Sequence, residues 1–413
     1  MGTTKLSFSA YLNRNKLIFY TMLEWIFAVN VFLVLYTYLG YGLILFLLKK
    51  LYPAQSLTPL EDYPAVTLLV AAYNEEDWIE QKIENCLALD YPRHKLHLLL
   101  VTDGSTDSTP QKAKSCLVPQ DFSIQILHDP KRLGKLAAVN RVMPLVGTPI
   151  VVFSDANTTL NPQAIQNLVK YYSDPKVGAV AGEKRIYIAD KDEASSAGEG
   201  IYWKYESLLK RWDAQLCSVV GAAGELFSIR TQLYESIPAD TLIEDFYLTM
   251  TVLRKGYRIA YAADAYAIEN SSASVGEELK RKIRISAGGL QASWRLRDLL
   301  NPLRYGIFSW QFFSHKVMRW TLAPLALLLA FLSNAALVWT GSILYVLLFM
   351  FQLVFYLLAF LGWIFERKKI KVKVLFIPYY FCMMNYSVFL GLLRLIKGKQ
   401  TVLWEKVERK GNQ

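Results

Sequence analysis

The sequence predicts an open, mostly parallel α/β domain joined to apolar helices that cross a membrane. Two observations carry this reading. Between residues 63 and 300, short apolar runs alternate with helical patterns, whereas 23–48, 317–339, 343–365 and 374–396 are charge-poor runs, each roughly a bilayer thickness in length. Composition agrees: with 413 residues, 53% of them apolar, the chain is longer than one ordinary domain and more hydrophobic than most soluble proteins.

Taken in order, residues 1–62 contain an apolar run that is too long for a signal-peptide core. It lacks an evident small-residue cleavage site, so it reads as a retained anchor over about 23–48. In 63–300, the runs Val66–Ala72, 96–102, 123–127 and 149–154 are bounded by turn residues, the pattern of buried parallel strands joined by crossover helices. The second half is less regular. Residues 193–216 are helical in composition, with Tyr202, Trp203, Tyr205 and Trp212 among charges; a strand is expected over 226–229, a helix led by Glu244 and Asp245 over 243–255, and a basic helix over 280–294. Residues 301–316 mix Phe308, Trp310, Phe312 and Phe313 with His315 and Lys316 and read as an amphipathic helix on the membrane surface. In 317–396, Pro378, Asn385 and Gly391 interrupt the last run, which favours an interfacial or re-entrant element there over a full span. A basic tail, 397–413, closes the chain.

The net charge of +11 is placed as a membrane protein places it: Lys49 and Lys50 follow the first run, and a cluster from Arg367 to Lys373 follows the third. By the positive-inside rule the α/β domain is cytosolic and the protein a multi-pass component of the plasma (inner) membrane, in contact with the lipid bilayer. No nucleic-acid-binding motif accompanies the charge, so nucleic acid is not expected as a partner. Cys86, Cys116, Cys217 and Cys382 are far apart and form no C-x-x-C pair, which argues against a zinc site or a disulfide framework.

In open α/β sheets ligands bind at the carboxyl ends of the strands. Here those ends carry Tyr73-Asn74-Glu75-Glu76, Asp103-Gly104-Ser105 and Asp155-Ala156-Asn157. One such carboxylate is often only a helix N-cap, but three strand ends deliver polar groups toward one rim. These residue types suit a diphosphate ligand. Asp155 can hold Mg²⁺ or Mn²⁺ against phosphate oxygens, with Asn157 as a neutral oxygen ligand. Lys135, in Arg132-Leu133-Gly134-Lys135, can set an ammonium beside the diphosphate. Asp245 is the carboxylate chosen as general base, with the adjacent Glu244 pointing elsewhere on the helix.

Tyr73-Asn74-Glu75, Asp103-Gly104-Ser105, Gly134-Lys135, Ser154-Asp155-Ala156-Asn157, Gly221-Ala222-Ala223-Gly224 and Ile243-Glu244-Asp245 occur in the order seen in family 2 glycosyltransferases. The chain resembles their membrane-bound branch, which contains poly-N-acetylglucosamine, hyaluronan and cellulose synthases. The resemblance implies a GT-A fold: an open, mostly parallel nucleotide-sugar-binding sheet plus transmembrane helices. It also implies single-displacement, inverting transfer from a UDP-sugar to a saccharide or lipid-linked acceptor, for polysaccharide or glycolipid synthesis. Tyr73, Glu75 and Asp103 would hold the uracil and ribose, Asp155 the metal and diphosphate, and Asp245 would be the base. Gly221, Ala222, Ala223 and Gly224, with Glu244, would line the acceptor site. Two departures stand out. The usual D-x-D metal motif ends here in Asn157, and the Q-x-x-R-W of processive members is replaced by Arg281-Lys282-Ile283-Arg284-Ile285, which keeps the diphosphate-facing arginine as Arg284 and loses the tryptophan. Single transfer is therefore weighed beside polymerisation. Two other readings stand: a polyprenyl-phosphate glycosyltransferase, and a degenerate nucleotide-sugar sensor acting with partner subunits of an export complex.

Overall fold

The computed structural model describes residues 3–52, 57–187, 194–270, 275–368, 370 and 372–398. The chain opens with one long helix, α1 (Thr3–Leu35), which passes through a widened turn at Tyr36–Gly40 into α2 (Tyr41–Leu48). Its apolar stretch begins at Arg14, so it is longer than the expected 23–48.

The α/β domain follows as β1 (Val66–Ala72), α3 (Ile79–Leu87), β2 (Leu96–Asp103), α4 (Thr109–Ser115), β3 (Ser123–Asp129), α5 (Lys135–Val142), β4 (Ile150–Asp155), β5 (Thr158–Leu160) and α6 (Ala164–Val169). It continues with β6 (Val177–Tyr187), α7 (Ala194–Leu216), β7 (Leu226–Arg230), α8 (Glu244–Arg254), β8 (Arg258–Asn270) and α9 (Val275–Arg295). The strands form one sheet in the order β3-β2-β1-β4-β7-β6-β8-β5. Strands β1 to β4 are mutually parallel, as expected; β7 runs antiparallel to both β4 and β6, and β5 antiparallel to β8.

Strand alternation sorts the core into two layers. Leu69, Ala71, Leu99, Val101 and Phe153 face the side of α5 and α8, while Leu68, Val70, Leu98, Leu100 and Val152 face α3 and α6. Both faces of β1 are therefore buried, which is why its sequence is an unbroken apolar run. Of the three strands that periodicity did not suggest, β5, β6 and β8, the last two carry a buried ionic cluster. Lys184 pairs with Glu225 and Glu269, and Arg281 pairs with Glu278 at 3.0 Å and with Glu269 at 3.7 Å.

Residues 301–316 do not form the single amphipathic helix expected. Gly306, at φ +56°, breaks the segment, leaving α10 (Pro302–Tyr305), α11 (Ile307–Phe312), a wide turn at Phe313–Val317 and α12 (Met318–Trp320). Phe308 and Phe312 join the core of the α/β domain, and Gln311 and His315 are fully buried against Asp213 of α7. The segment is an internal junction between the domain and the apolar helices.

Then come α13 (Leu322–Leu337), α14 (Ile343–Arg367) and α15 (Lys373–Ile396). Among the described residues, four helices are long and apolar enough to cross a membrane: Arg14–Leu48, Leu322–Thr340, Ile343–Arg367 and Val374–Ile396. The interruption expected at Pro378 is absent, since α15 is continuous through it. The basic tail beyond 398 lies outside the described residues. Helix α9 ties the domain to α15 through small residues: a side chain at Gly391 would begin 2.8 Å from the backbone N of Ala287, and one at Gly288 would strike Ile243, just before α8.

Candidate active site

The carboxyl ends of β1 and β4 and the N-termini of α5 and α8 converge on one cavity of about 980 Å³. Its wall includes Tyr73, Glu75, Asp155 and Asn157 from the strand ends, Lys135 from α5 and Asp245 from α8. The 221–224 segment, Glu244, Arg284 and Ile285 also face it.

Asp103 is placed differently. Buried at 4% exposure, it lies behind the wall, where its carboxylate accepts backbone N–H groups from Leu133 at 3.0 Å and Gly134 at 2.6 Å. It thereby fixes the loop that starts α5 and presents Lys135. Arg132 of that loop stacks over the Tyr73 ring at 3.9 Å.

The centre of the site is a charge cluster. Lys135 Nζ donates to Asp155 Oδ1 at 2.5 Å and lies 3.4 Å from Glu244 Oε1. A Cβ placed on Gly224 would lie 3.2 Å from Asp245 Oδ2 and 3.5 Å from Lys135 Nζ, so both groups crowd that glycine. Burial disfavours the charged form of Lys135, but Asp155 and Glu244 outweigh it and hold the ammonium pKa above its ordinary value. Asp155 is raised, chiefly by burial and against the pull of Lys135. Asp245 is pushed up to about 7 by burial and then by the charge of Glu244, with Lys135 opposing. A carboxylate with that pKa is suited to take a proton near neutral pH.

Backbone geometry supports the cluster. Gly221 sits at φ +80°, and a Cβ there would lie 2.1 Å from the Phe246 ring, so only glycine lets this segment pass the start of α8. The Ala222 N–H donates to Thr249 Oγ1 at 3.1 Å, pinning the segment to α8. Arg284 reaches the site from α9 and donates to the Leu242 carbonyl at 3.4 Å.

Sequence reasoning missed two groups. Lys82 of α3 is fully enclosed beneath the β4 end, donating to Ser154 Oγ at 2.8 Å and the Thr158 carbonyl at 2.9 Å, and burial lowers its pKa to about 8. It braces the turn between β4 and β5 that bears Asp155 and Asn157. The second group is the inner wall of the cavity, with Tyr202, Tyr205, Glu206 and Lys210 of α7 joined by Lys316 and Arg319. The 202, 206, 210 spacing on one helix face was its only sequence signal.

Comparison with known proteins agrees with this geometry. Residues 67–237 match the sequence profile of glycosyl transferase family 2. The chain is 27% identical over 256 residues to a poly-beta-1,6-N-acetyl-D-glucosamine synthase of Staphylococcus aureus, covering 59% of this chain and 59% of that protein. It is 27% identical over 213 residues to a probable glycosyltransferase of Bacillus subtilis, covering 49% and 50% respectively. The chain thus covers only about three-fifths or less of these relatives' length. Among solved structures, a mannosyltransferase from Pyrobaculum calidifontis in complex with GDP-mannose and Mn²⁺ shares the fold, with a TM-score of 0.69 at 22% identity over 91% of this chain and 100% of that one. The polar rim, the curled mostly parallel sheet and the matched profile lead to one conclusion: residues 67–237 are similar to glycosyl transferase family 2 and lie in an α/β domain of GT-A fold, joined to apolar helices of membrane-crossing length.

Proposed function

We propose that this protein transfers a sugar from a nucleotide-diphosphate donor, a UDP-sugar, to a saccharide or lipid-linked acceptor at the membrane, inverting the anomeric carbon. The observation that carries the reading is the position of Asp245, pushed up to about 7, in the same cavity wall as the Lys135–Asp155 ion pair. Asp245 and Arg284 lie beyond the profile match at 67–237, so their roles rest on geometry.

In this mechanism Tyr73 and Glu75 hold the base and ribose, while Asp103 acts from behind by fixing the loop before Lys135. Asp245 accepts the proton of the acceptor hydroxyl as its oxygen bonds to the anomeric carbon. The bond from that carbon to the diphosphate oxygen breaks, and the electron pair leaves with the nucleotide. Lys135 and Arg284 stabilise the charge on the departing diphosphate. One displacement with no covalent intermediate inverts the centre.

Asp155 and Asn157 offer one carboxylate and one amide oxygen, and among the described residues no three His, Cys, Asp or Glu side chains gather into a metal cage. The pair fits Mg²⁺ or Mn²⁺: Asp155 would hold the ion, with the Asn157 amide oxygen as a neutral ligand. Neutralising the leaving group is the chemistry such an ion supplies.

Polymer synthesis is the second reading, favoured by the staphylococcal relative. Against it, Ile285 lines the cavity with an aliphatic surface where processive enzymes of the resembling branch stack a tryptophan. The test uses purified protein in native lipid extract with Mn²⁺ and radiolabelled UDP- and GDP-sugars, scoring nucleotide release and product size. Release with labelled product, lost with EDTA and in Asp245→Asn, supports transfer; product length separates the two readings. Unchanged transfer in Asp245→Asn overturns the assignment of the base.

A further inference from the structure

The cavity continues beyond the donor site into the apolar helices. Its wall includes Leu35, Tyr38 and Leu39 from the α1 to α2 helix and Ile377, Phe381 and Val388 from α15. Tyr38 bridges the two helices, donating to Asn385 Oδ1 at 2.7 Å and meeting Phe381 edge-on at 4.9 Å between ring centroids. Beside this apolar region lies a cationic group. Lys316 Nζ pairs with Glu206, Arg319 Nη1 pairs with the same carboxylate at 3.0 Å, and Lys210 lines the same cavity. Glu206 is also shared with His315 Nε2 at 3.2 Å, whose Nδ1 lies 2.6 Å from Asp213.

Arg319 is the informative residue. Its Nε and Nη2 are buried and find no acceptor among the described residues, although a guanidinium offers five donors in a planar fork suited to phosphate. Buried donors without acceptors are costly, so a site that keeps them is built for an acceptor brought by a ligand. At this end of the cavity Lys316 and Arg319 share the single carboxylate of Glu206 and Lys210 adds a further cation, which calls for an anion, and the leucines, isoleucine and valine on the same wall call for hydrocarbon.

We propose that this end of the cavity binds the phosphate or diphosphate head of a lipid. Arg319, Lys316 and Lys210 grip the head, the tail lies between the α1 to α2 helix and α15, and the lipid carries the acceptor group toward Asp245. This rests on the transferase reading above and specifies its acceptor class. A hydroxyl-rich polymer would find few hydrogen-bonding partners along Leu35, Leu39, Ile377 and Val388.

The test uses the full chain in phosphatidylcholine nanodiscs doped with polyprenyl phosphate or phosphatidylglycerol, with inorganic pyrophosphate as a soluble competitor. Retained lipid is measured by native mass spectrometry and UDP binding by intrinsic fluorescence. Arg319→Gln is expected to weaken polyprenyl-phosphate retention at least tenfold while UDP binding, which reports a folded donor site, is unchanged; Arg319→Lys restores a fraction of it. Lys210→Gln leaves both Glu206 pairs in place and is expected to lose several-fold, so the proposal stays testable if Arg319→Gln does not fold. Wild-type retention in both folded variants overturns the site. Equal retention of phosphatidylglycerol reduces it to a general anionic-lipid contact, and full displacement by pyrophosphate reduces it to a free-phosphate site; either overturns the acceptor role. The two readings fail separately: if polyprenyl phosphate binds and Asp245→Asn still transfers sugar, the assigned catalytic base fails and the lipid site stands.

Discussion

At the scale of single residues, the proposed transfer turns on Asp245, a carboxyl whose pKa is held near neutral pH. Burial and Glu244 raise Asp245 to about 7 from an ordinary 3.8. As a base it must be ionised, so turnover should climb with pH through about 7 and level off above. Stability runs the other way. Between 3.8 and about 7 the native state keeps a proton that the unfolded chain has released, so native stability falls as pH rises through that window, and the loss is complete above it. Asp245→Asn should therefore reduce transfer by about 100-fold or more yet melt at higher temperature than the parent at pH 8, with the difference closing toward pH 4. A lower melting point for the variant at pH 8 would show that Asp245 is stabilised as the anion. Glycines give a second pair of outcomes. Gly221→Ala meets both a left-handed backbone and the Phe246 ring, so it should cost roughly 1–3 kcal/mol of stability and lose activity as α8 shifts. Gly224→Ala sets a Cβ 3.2 Å from Asp245 Oδ2, closer than ordinary van der Waals contact, and 3.5 Å from Lys135 Nζ, so the Asp245 side chain has to give way; it should cost less stability than Gly221→Ala while lowering kcat. Asp155, Lys135 and Asp245 were legible because each follows a clear strand or starts a clear helix. Asp103 was legible as a strand-end carboxylate, but its hydrogen bonds to the 133–134 backbone were not, because loop curvature leaves no periodic trace. Glu206 and Arg319, 113 residues apart, meet only through the fold.

At the scale of elements, what sequence showed and hid follows the chemistry of burial. β1 to β4 and β7 came within two residues of their observed ends because their buried faces are apolar. β6 and β8 bury charge instead: Lys184, at 1% side-chain exposure, lies between Glu225 and Glu269, so buried strand residues look like surface ones. Such a cluster is stable only while its partners are all present, since removing one leaves an uncompensated charge. Helix α9 shows how elements couple. Its Gly288 admits Ile243 beside the start of α8, its Gly289 admits Trp320, and its backbone at Ile283 and Ala287 receives Gly391 of α15. Gly391→Leu has to push α9 and α15 apart from backbone contact, so the protein should melt several degrees lower and lose kcat, because Arg284 and Ile285 move with α9. Leu393→Ala, at a half-exposed position two residues on, is the control and should change neither. If Gly391→Leu retains both stability and turnover, α15 is not what holds α9 in place.

At the scale of the whole molecule, the packing of α15 bears on which side of the membrane the chain emerges. By length and composition α15 can cross a bilayer. Counted as a crossing, it would put Arg394 and Lys397 on the side opposite the catalytic domain, against the charge rule that Lys49, Lys50 and Arg367 obey. Its neighbours argue otherwise. Phe376 and Tyr380 cluster with Tyr202 of α7 and Leu279 of α9, Ser387 meets Ser286 at 2.9 Å, and Gly391 closes on Ile283 and Ala287. Helix α15 thus lies along α9 for most of its length, and α9 carries Glu277, Glu278, Lys280, Arg281, Lys282 and Arg284, which cannot be placed in hydrocarbon without heavy cost. A helix held beside that charge is expected to stay at the membrane face that carries the catalytic domain, and its unbroken run through Pro378 goes with its packing on α9 and α7. Lys397→Cys, in a background lacking the native cysteines, should react with a membrane-impermeant maleimide from the same face as Leu133→Cys on the catalytic domain. Labelling of the two from opposite faces would make α15 a true span and would require α9 to follow it into the membrane, where its carboxylates and cations would have to remain fully paired.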